Sequence, residues 1–305
     1  MINSFDSLIR DAVSQQPPTL AVAAAADSYV LRAIRKAVDM RLAGAVLVGD
    51  RNEILRLCEA EGISLDGLWI EHAPDKEQAC KLAVALVRER RAQVVMKGLV
   101  DTSVFLRAIL DKENGIRRAP LLSHVAAFEV AGFDRLLLLS DAALNMYPNV
   151  DQKQGILENA AEVAKALGVE NPIAACVCAI EKVNEKMQPT LDAAELVRRW
   201  REGLISNLRV TGPLALDNAL FEALALHKGI TDPLAGRADI LLMPNIEAGN
   251  VLYKSLAYIA KARNAGVLIG AGAPVVLTSR SDHEDTKINS IALAIKIALY
   301  ERSRA

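Results

Sequence analysis

The segment Leu277-Thr278-Ser279-Arg280-Ser281-Asp282, followed by His283, Glu284, Asp285, Thr286 and Lys287, gathers a hydroxyl, a guanidinium and carboxylates within a few residues. Such a set suits acyl transfer. Arg280 can bind phosphate bidentately, Ser279 can donate to a developing oxyanion, and a carboxylate can handle a thiol proton. A helix N-cap is the competing reading. In a second segment, Met96-Lys97-Gly98 leads into Asp101-Thr102-Ser103, which caps a helix carrying Arg107. A helix N-terminus with Lys97 and Arg107 nearby suits a phosphate or pyrophosphate; the alternative is a capped helix with a solvated Arg. Ser140-Asp141-Ala142-Ala143-Leu144-Asn145 places a carboxylate and an amide at a strand terminus, where local capping would also explain the Asp. Thr211-Gly212-Pro213 through Asp217-Asn218, and Met243-Pro244-Asn245 through Gly249-Asn250, put turn residues and side-chain amides after strands.

These segments matter because ligands of open α/β sheets gather where loops leave the carboxyl ends of strands. Short aliphatic runs alternate with helical patterns along nearly the whole chain, which predicts an α/β protein with mostly parallel sheets. The predicted strands are 20–24, 45–48, 68–70, 94–96, 124–129, 136–139, 173–179, 208–210, 240–243, 267–269 and 275–278. Helices are predicted over 27–42, 75–91, 151–167, 191–202, 217–227, 248–263 and 286–302, several opening on Asp or Thr. At 305 residues the chain suits two domains, with a boundary near residue 135.

Composition excludes several classes. Lys and Arg total 36 against 37 Asp and Glu, so there is no global basic field to hold nucleic acid or an anionic membrane. No apolar run reaches a spanning length, and Met1 to Gln16 reads as an amphipathic helix, so a cytoplasmic location is expected. The four cysteines lack zinc spacing and read as buried reduced thiols, with no metal expected. Motifs for nucleotide, serine or zinc hydrolysis are missing, and Gly270-Ala271-Gly272 runs into Pro274 and another strand rather than a dinucleotide-binding helix.

Taken in order, Met96-Lys97-Gly98-Leu99-Val100-Asp101-Thr102 through Arg107-Ala108, Leu122-Ser123-His124-Val125, Asp141 to Asn145, Pro189 to Ala194, Gly212 to Ala219, Glu247-Ala248-Gly249-Asn250 through Lys254-Ser255-Leu256 and Leu277 to Arg280 resemble the phosphate acetyl/butyryltransferase family. The butyryl branch is the closer match. The resemblance implies reversible acyl transfer between CoA and inorganic phosphate through a ternary complex, with an acetyl-specific enzyme as the alternative. It implies no permanently bound cofactor, CoA being substrate and product, and a homo-oligomer of at least two chains. Arg280 and Arg107 would offset phosphate charge, Ser279 and Ser123 would support the tetrahedral intermediate, and Asp285 or Asp282 would exchange a proton with sulfur. Lys97, Gly98, Thr102, Asp141, Asn145, Asp217, Asn218, Asn250 and Lys254 would contact substrate.

The implied fold is like that of the isocitrate and isopropylmalate dehydrogenases: two α/β domains, 1–135 completed by 271–305, and 136–270, with an interdomain cleft. Two residues depart from the family pattern, Thr211 and Asn245 standing where Asp is expected. The competing functions are a metal- and NAD-dependent 2-hydroxy acid dehydrogenase, for which no convergent Asp set is found, and a non-catalytic acyl-CoA binder.

Overall fold

The computed structural model describes residues 1–278 and 283–304. In chain order the elements are α1 (Phe5–Ala12), β1 (Thr19–Ala23), α2 (Ser28–Asp39), β2 (Gly44–Gly49), α3 (Arg51–Glu61), β3 (Leu68–His72), α4 (Lys76–Arg88), β4 (Val94–Lys97) and α5 (Thr102–Leu110). Then come β5 (Ser123–Glu129), β6 (Leu136–Ser140), α6 (Val150–Ala166), β7 (Ile173–Val177), α7 (Gln188–Arg201), β8 (Arg209–Leu214), α8 (Leu216–Leu220), α9 (Glu222–His227) and β9 (Ile240–Leu242). The last are α10 (Ile246–Lys254), continued by a π-turn over Ser255–Ile259, β10 (Arg263–Ile269), β11 (Val275–Val276) and α11 (Glu284–Arg304).

Two compact units result. A terminal unit comprises Phe5–Pro120 and Ala265–Ala305; a middle unit comprises Leu121–Asn264 with Met1–Ser4. The strands of the terminal unit run in the order β3-β2-β1-β4-β11-β10, parallel except for β10. The strands of the middle unit run in the order β5-β6-β9-β7-β8, parallel except for β5. Apart from β3, which is half-buried to exposed, and the exposed first residues of β8 and β10, the strands are buried and largely aliphatic, as expected where helices cover both faces of a parallel sheet. The division falls after Pro120 rather than near 135, because β5 pairs with β6 from Ala126–Leu139 to Glu129–Leu136 and so shares its sheet. Among the described residues no helix is long and apolar enough to cross a membrane. All four cysteines are free and buried.

Four predicted elements change shape. The helix expected over 217–227 is two, broken at Phe221, whose extended backbone (φ −126°, ψ 108°) ends α8 and opens α9. The helix expected to reach 263 ends in the π-turn, and Arg263 already belongs to β10. Strand β8 extends through Thr211-Gly212-Pro213-Leu214, which the sequence suggested as a turn. The amphipathic N-terminal helix spans only Phe5–Ala12, since Ile2 donates its backbone N–H to Leu167 in the middle unit.

Candidate active site

At the carboxyl end of β4, Lys97 is buried, and its Nζ donates to the carbonyls of Gly98 (3.3 Å) and Val100 (3.2 Å). Gly98 follows because the chain passes β1 closely. A Cβ there would lie 2.3 Å from the Ala24 carbonyl oxygen, and the Gly98 N–H donates to Ala23. Only glycine fits without displacing one strand end from the other.

Lys97 and Gly98 line a cavity of about 160 Å³ together with Asp27, Tyr29, Thr278 and Lys287. Three elements build it. Asp27 caps α2, accepting from the Val30 N–H at 2.9 Å, so the positive end of that helix dipole opens on the cavity. Thr278 follows β11, and Lys287, 3 % exposed, comes from the first turns of α11. Two buried lysines, a hydroxyl and a helix N-terminus thus line the cavity together with one carboxylate. Sequence reading missed Lys287, Asp27 and Tyr29. Lys287 sits in an apolar run of α11 and reads there as an ordinary helical lysine.

The other candidate residues of the terminal unit are distributed differently. Ser279, Arg280 and Asp282 lie outside the described residues, directly after Thr278. Thr102 opens α5 and is exposed. Arg107 sits in the last turn of α5, exposed, and lines a separate cavity of about 540 Å³ with Glu77, Lys81 and Asp111. The Glu77 carboxyl there is held below its ordinary range, first by its hydrogen bond to Lys81 and to a smaller extent by Arg107. Arg107 and Lys97 thus do not share a cavity, and the surroundings of Arg107 are of mixed sign. Asp285 lies in the first turn of α11 with its side chain 82 % exposed, 3.6 Å from Lys36 Nζ, which also holds Glu284 at 2.9 Å.

In the middle unit the candidates form a connected network. The buried Asp141 carboxylate accepts four hydrogen bonds: from the backbone of Ala143 (2.8 Å), Leu144 (2.9 Å) and His124 (3.0 Å), and from Asn145 Nδ2 (2.7 Å). Its four lone-pair directions are thereby used within the protein. Asn145 also donates to the Leu122 carbonyl. The Ser123 hydroxyl, fully shielded, accepts from Asn159 at 2.9 Å.

Helix α10 braces this loop. Gly249 lets the helix approach so closely that a Cβ would stand 2.4 Å from the Asp141 carbonyl oxygen; Asn250 donates to Ala142, and Tyr253 packs edge-on against His124 and Phe128. Lys254 Nζ lies 5.8 Å from the Tyr258 ring centroid.

Asp217 accepts from the Asn218 N–H and stands 3.6 Å from Lys228; the buried Asn218 amide donates to Glu181 at 2.6 Å. The departures from the family pattern are accommodated locally. Thr211 donates its hydroxyl to Asp232 at 2.6 Å, where an Asp would have met a second carboxylate. Asn245 caps α10 by accepting from Ala248, a role Asn and Asp fill alike. A buried ion pair that sequence reading missed, Lys153–Asp192 at 2.7 Å, ties α6 to α7, with Gln188 donating to the other Asp192 oxygen.

Fold and site together define a mixed α/β protein with a cationic cavity at the carboxyl edge of a mostly parallel sheet. The family model described as phosphate acetyl/butaryl transferase matches residues 71–295. The chain is 49% identical over 298 residues to a phosphate butyryltransferase of Clostridium acetobutylicum, covering 98% of this chain and 99% of that one. It is 41% identical over 279 residues to a phosphate acetyltransferase of Thermotoga maritima, covering 92% and 95%. A branched-chain phosphotransacylase from Enterococcus faecalis V583 superposes with a TM-score of 0.83 at 33% identity, over 92% of this chain and 99% of that one. The chain belongs to the phosphate acetyl/butyryl transferase family, a family of transferases.

Proposed function

We propose that the protein moves a short acyl group reversibly between CoA and inorganic phosphate, butanoyl-CoA and phosphate giving butanoyl phosphate and CoA. The observation that carries this reading, in a chain of this family, is the small cavity lined by Lys97, Lys287 and Thr278. Ser279 and Arg280 follow Thr278 directly in the sequence. A phosphate oxygen attacks the thioester carbonyl, the C–O bond forms, the C–S bond breaks, and the departing thiolate takes up a proton. Arg280 offsets phosphate charge, Ser279 donates to the oxyanion, and Asp282 or Asp285 exchanges the proton with sulfur. Holding two anionic reactants in one geometry supplies much of the catalysis. Within the middle unit, Asp141, saturated by protein donors, positions Asn145 and the start of β5, and Asn159 holds the Ser123 hydroxyl.

The test is phosphate-dependent CoA release from acetyl-, propionyl-, butyryl- and isobutyryl-CoA compared side by side. Fastest release from a four-carbon thioester is expected. Preference for acetyl-CoA would favour the acetyl branch, which the 41% identity to the Thermotoga protein supports. No release from any would overturn the proposal.

A further inference from the structure

Of the large apolar side chains that the middle unit exposes, Val251, Tyr258 and Ile259 lie on α10 and its π-turn, and Met146 and Tyr147 on the loop that meets the start of that helix. All five are 51–81 % exposed. Ile246 donates its N–H to the Met146 carbonyl at 2.9 Å and Tyr147 donates its hydroxyl to Glu247, so loop and helix present one continuous surface. The family resemblance implies association of like chains but no surface for it. We propose that two copies of the chain meet here, α10 packing antiparallel against the same helix of the partner subunit across a two-fold axis beside Val251.

The core accounts for one side of α10. Ala248, Leu252, Tyr253, Leu256 and Ala257 pack on the hydrophobic core of the middle unit. On the other side the exposed Glu247, Val251 and Lys254 recur at i, i+4 and i+7, and the π-turn, wound wider than an α-helix, extends that stripe with Tyr258 and Ile259. A helix face that met water alone would be polar throughout, whereas contiguous exposed apolar surface marks association, and Tyr and Met are enriched in interface cores.

Charge selects a second copy as the occupant. Glu247 and Lys254 stand seven residues apart, about 10 Å along the helix, too far to pair with each other. Among the described residues Glu247 meets the Tyr147 hydroxyl and Lys254 the Tyr258 ring, neither of them an opposite charge. Their midpoint falls between Asn250 and Val251. Two helices turned antiparallel about that point set Glu247 against the partner's Lys254 twice over, with Val251 at the axis, and bring Tyr258 and Ile259 toward the partner's Met146 and the partner's Tyr147. A parallel pair would set like charges together, so the stripe complements itself in one orientation. A standard interface covers about 20–30 residues a side, which makes this stripe its centre, with a rim beyond.

The test reads mass rather than activity. Sedimentation velocity at micromolar concentration compares the full-length wild type with Val251→Asp, Glu247→Lys and Lys254→Glu, circular dichroism showing that each is folded. The wild type is expected at twice the chain mass or a multiple of it. Val251→Asp places two carboxylates at the axis and is expected to halve that mass. Glu247→Lys and Lys254→Glu each bring like charges together twice and are expected to raise the dissociation constant about tenfold or more, whereas mixing the two variants makes both contacts attractive and is expected to return it to within about threefold of the wild type.

A monomeric wild type, or a Val251→Asp variant that keeps the wild-type mass, overturns the proposal. So does a mixture of Glu247→Lys and Lys254→Glu that associates no more tightly than either alone, because only pairing of Glu247 with the partner's Lys254 lets two self-repelling variants attract. If Val251→Asp is unfolded, Ile259→Asp, at the most exposed of the five positions, takes its place with the same expectation. None of these outcomes bears on the acyltransferase reading.

Discussion

Asp141 shows how a residue chosen for chemistry can serve geometry instead. Its carboxylate is surrounded by three backbone N–H groups and one side-chain amide, all within 3.0 Å. In Asp141→Asn an NH2 group would replace one oxygen and face two donors. At roughly 1–3 kcal/mol for each donor left unsatisfied, the loss of stability is about 2–6 kcal/mol. Urea unfolding should show that drop as a lower midpoint at unchanged slope. The loop from 140 to 145 stood out in the sequence because an Asp and an Asn follow a strand. That the two bond to each other, and to His124 seventeen positions earlier, was not legible, since those contacts depend on β5 pairing antiparallel with β6.

At the scale of elements, the strands other than β8 and β10 were legible nearly to their ends because most are continuous buried runs of Val, Leu, Ile and Ala. The departures occur where tertiary packing overrides a local pattern. Phe221 interrupts a helical run and packs on Phe133, with ring centroids 5.5 Å apart. Gly212-Pro213 signals a turn, yet it continues β8. Lys287 could not be singled out because nothing local separates a helical lysine that turns inward from one in solvent. The β1–β4 contact carries its own prediction. Gly98→Ala would drive a methyl group into the Ala23 and Ala24 carbonyls, a steric insertion that costs about 1–3 kcal/mol in a packed interior. Thermal unfolding should register that loss, and KM for phosphate should rise because Lys97 moves with the end of β4.

On the scale of the whole chain, each unit carries its own set of strands and its own buried cysteines, Cys58 and Cys80 in the terminal unit, Cys176 and Cys178 in the middle one. Burial in apolar surroundings pushes every one of these thiols upward, Cys80 and Cys178 to about 11. A thiol of that pKa is ionised to roughly one part in a thousand at pH 8, and only the thiolate reacts. Native protein at pH 8 should therefore leave an aromatic disulfide reagent such as Ellman's uncoloured over minutes, whereas protein unfolded in guanidinium should titrate four equivalents. Rapid labelling of a native thiol would show that at least one of these sites opens. On that expectation the protein is optically silent in the assay its own chemistry invites. CoA leaving the reaction carries the one sulfur that such a dye meets, so turnover can be followed continuously without a protein blank and without reductant.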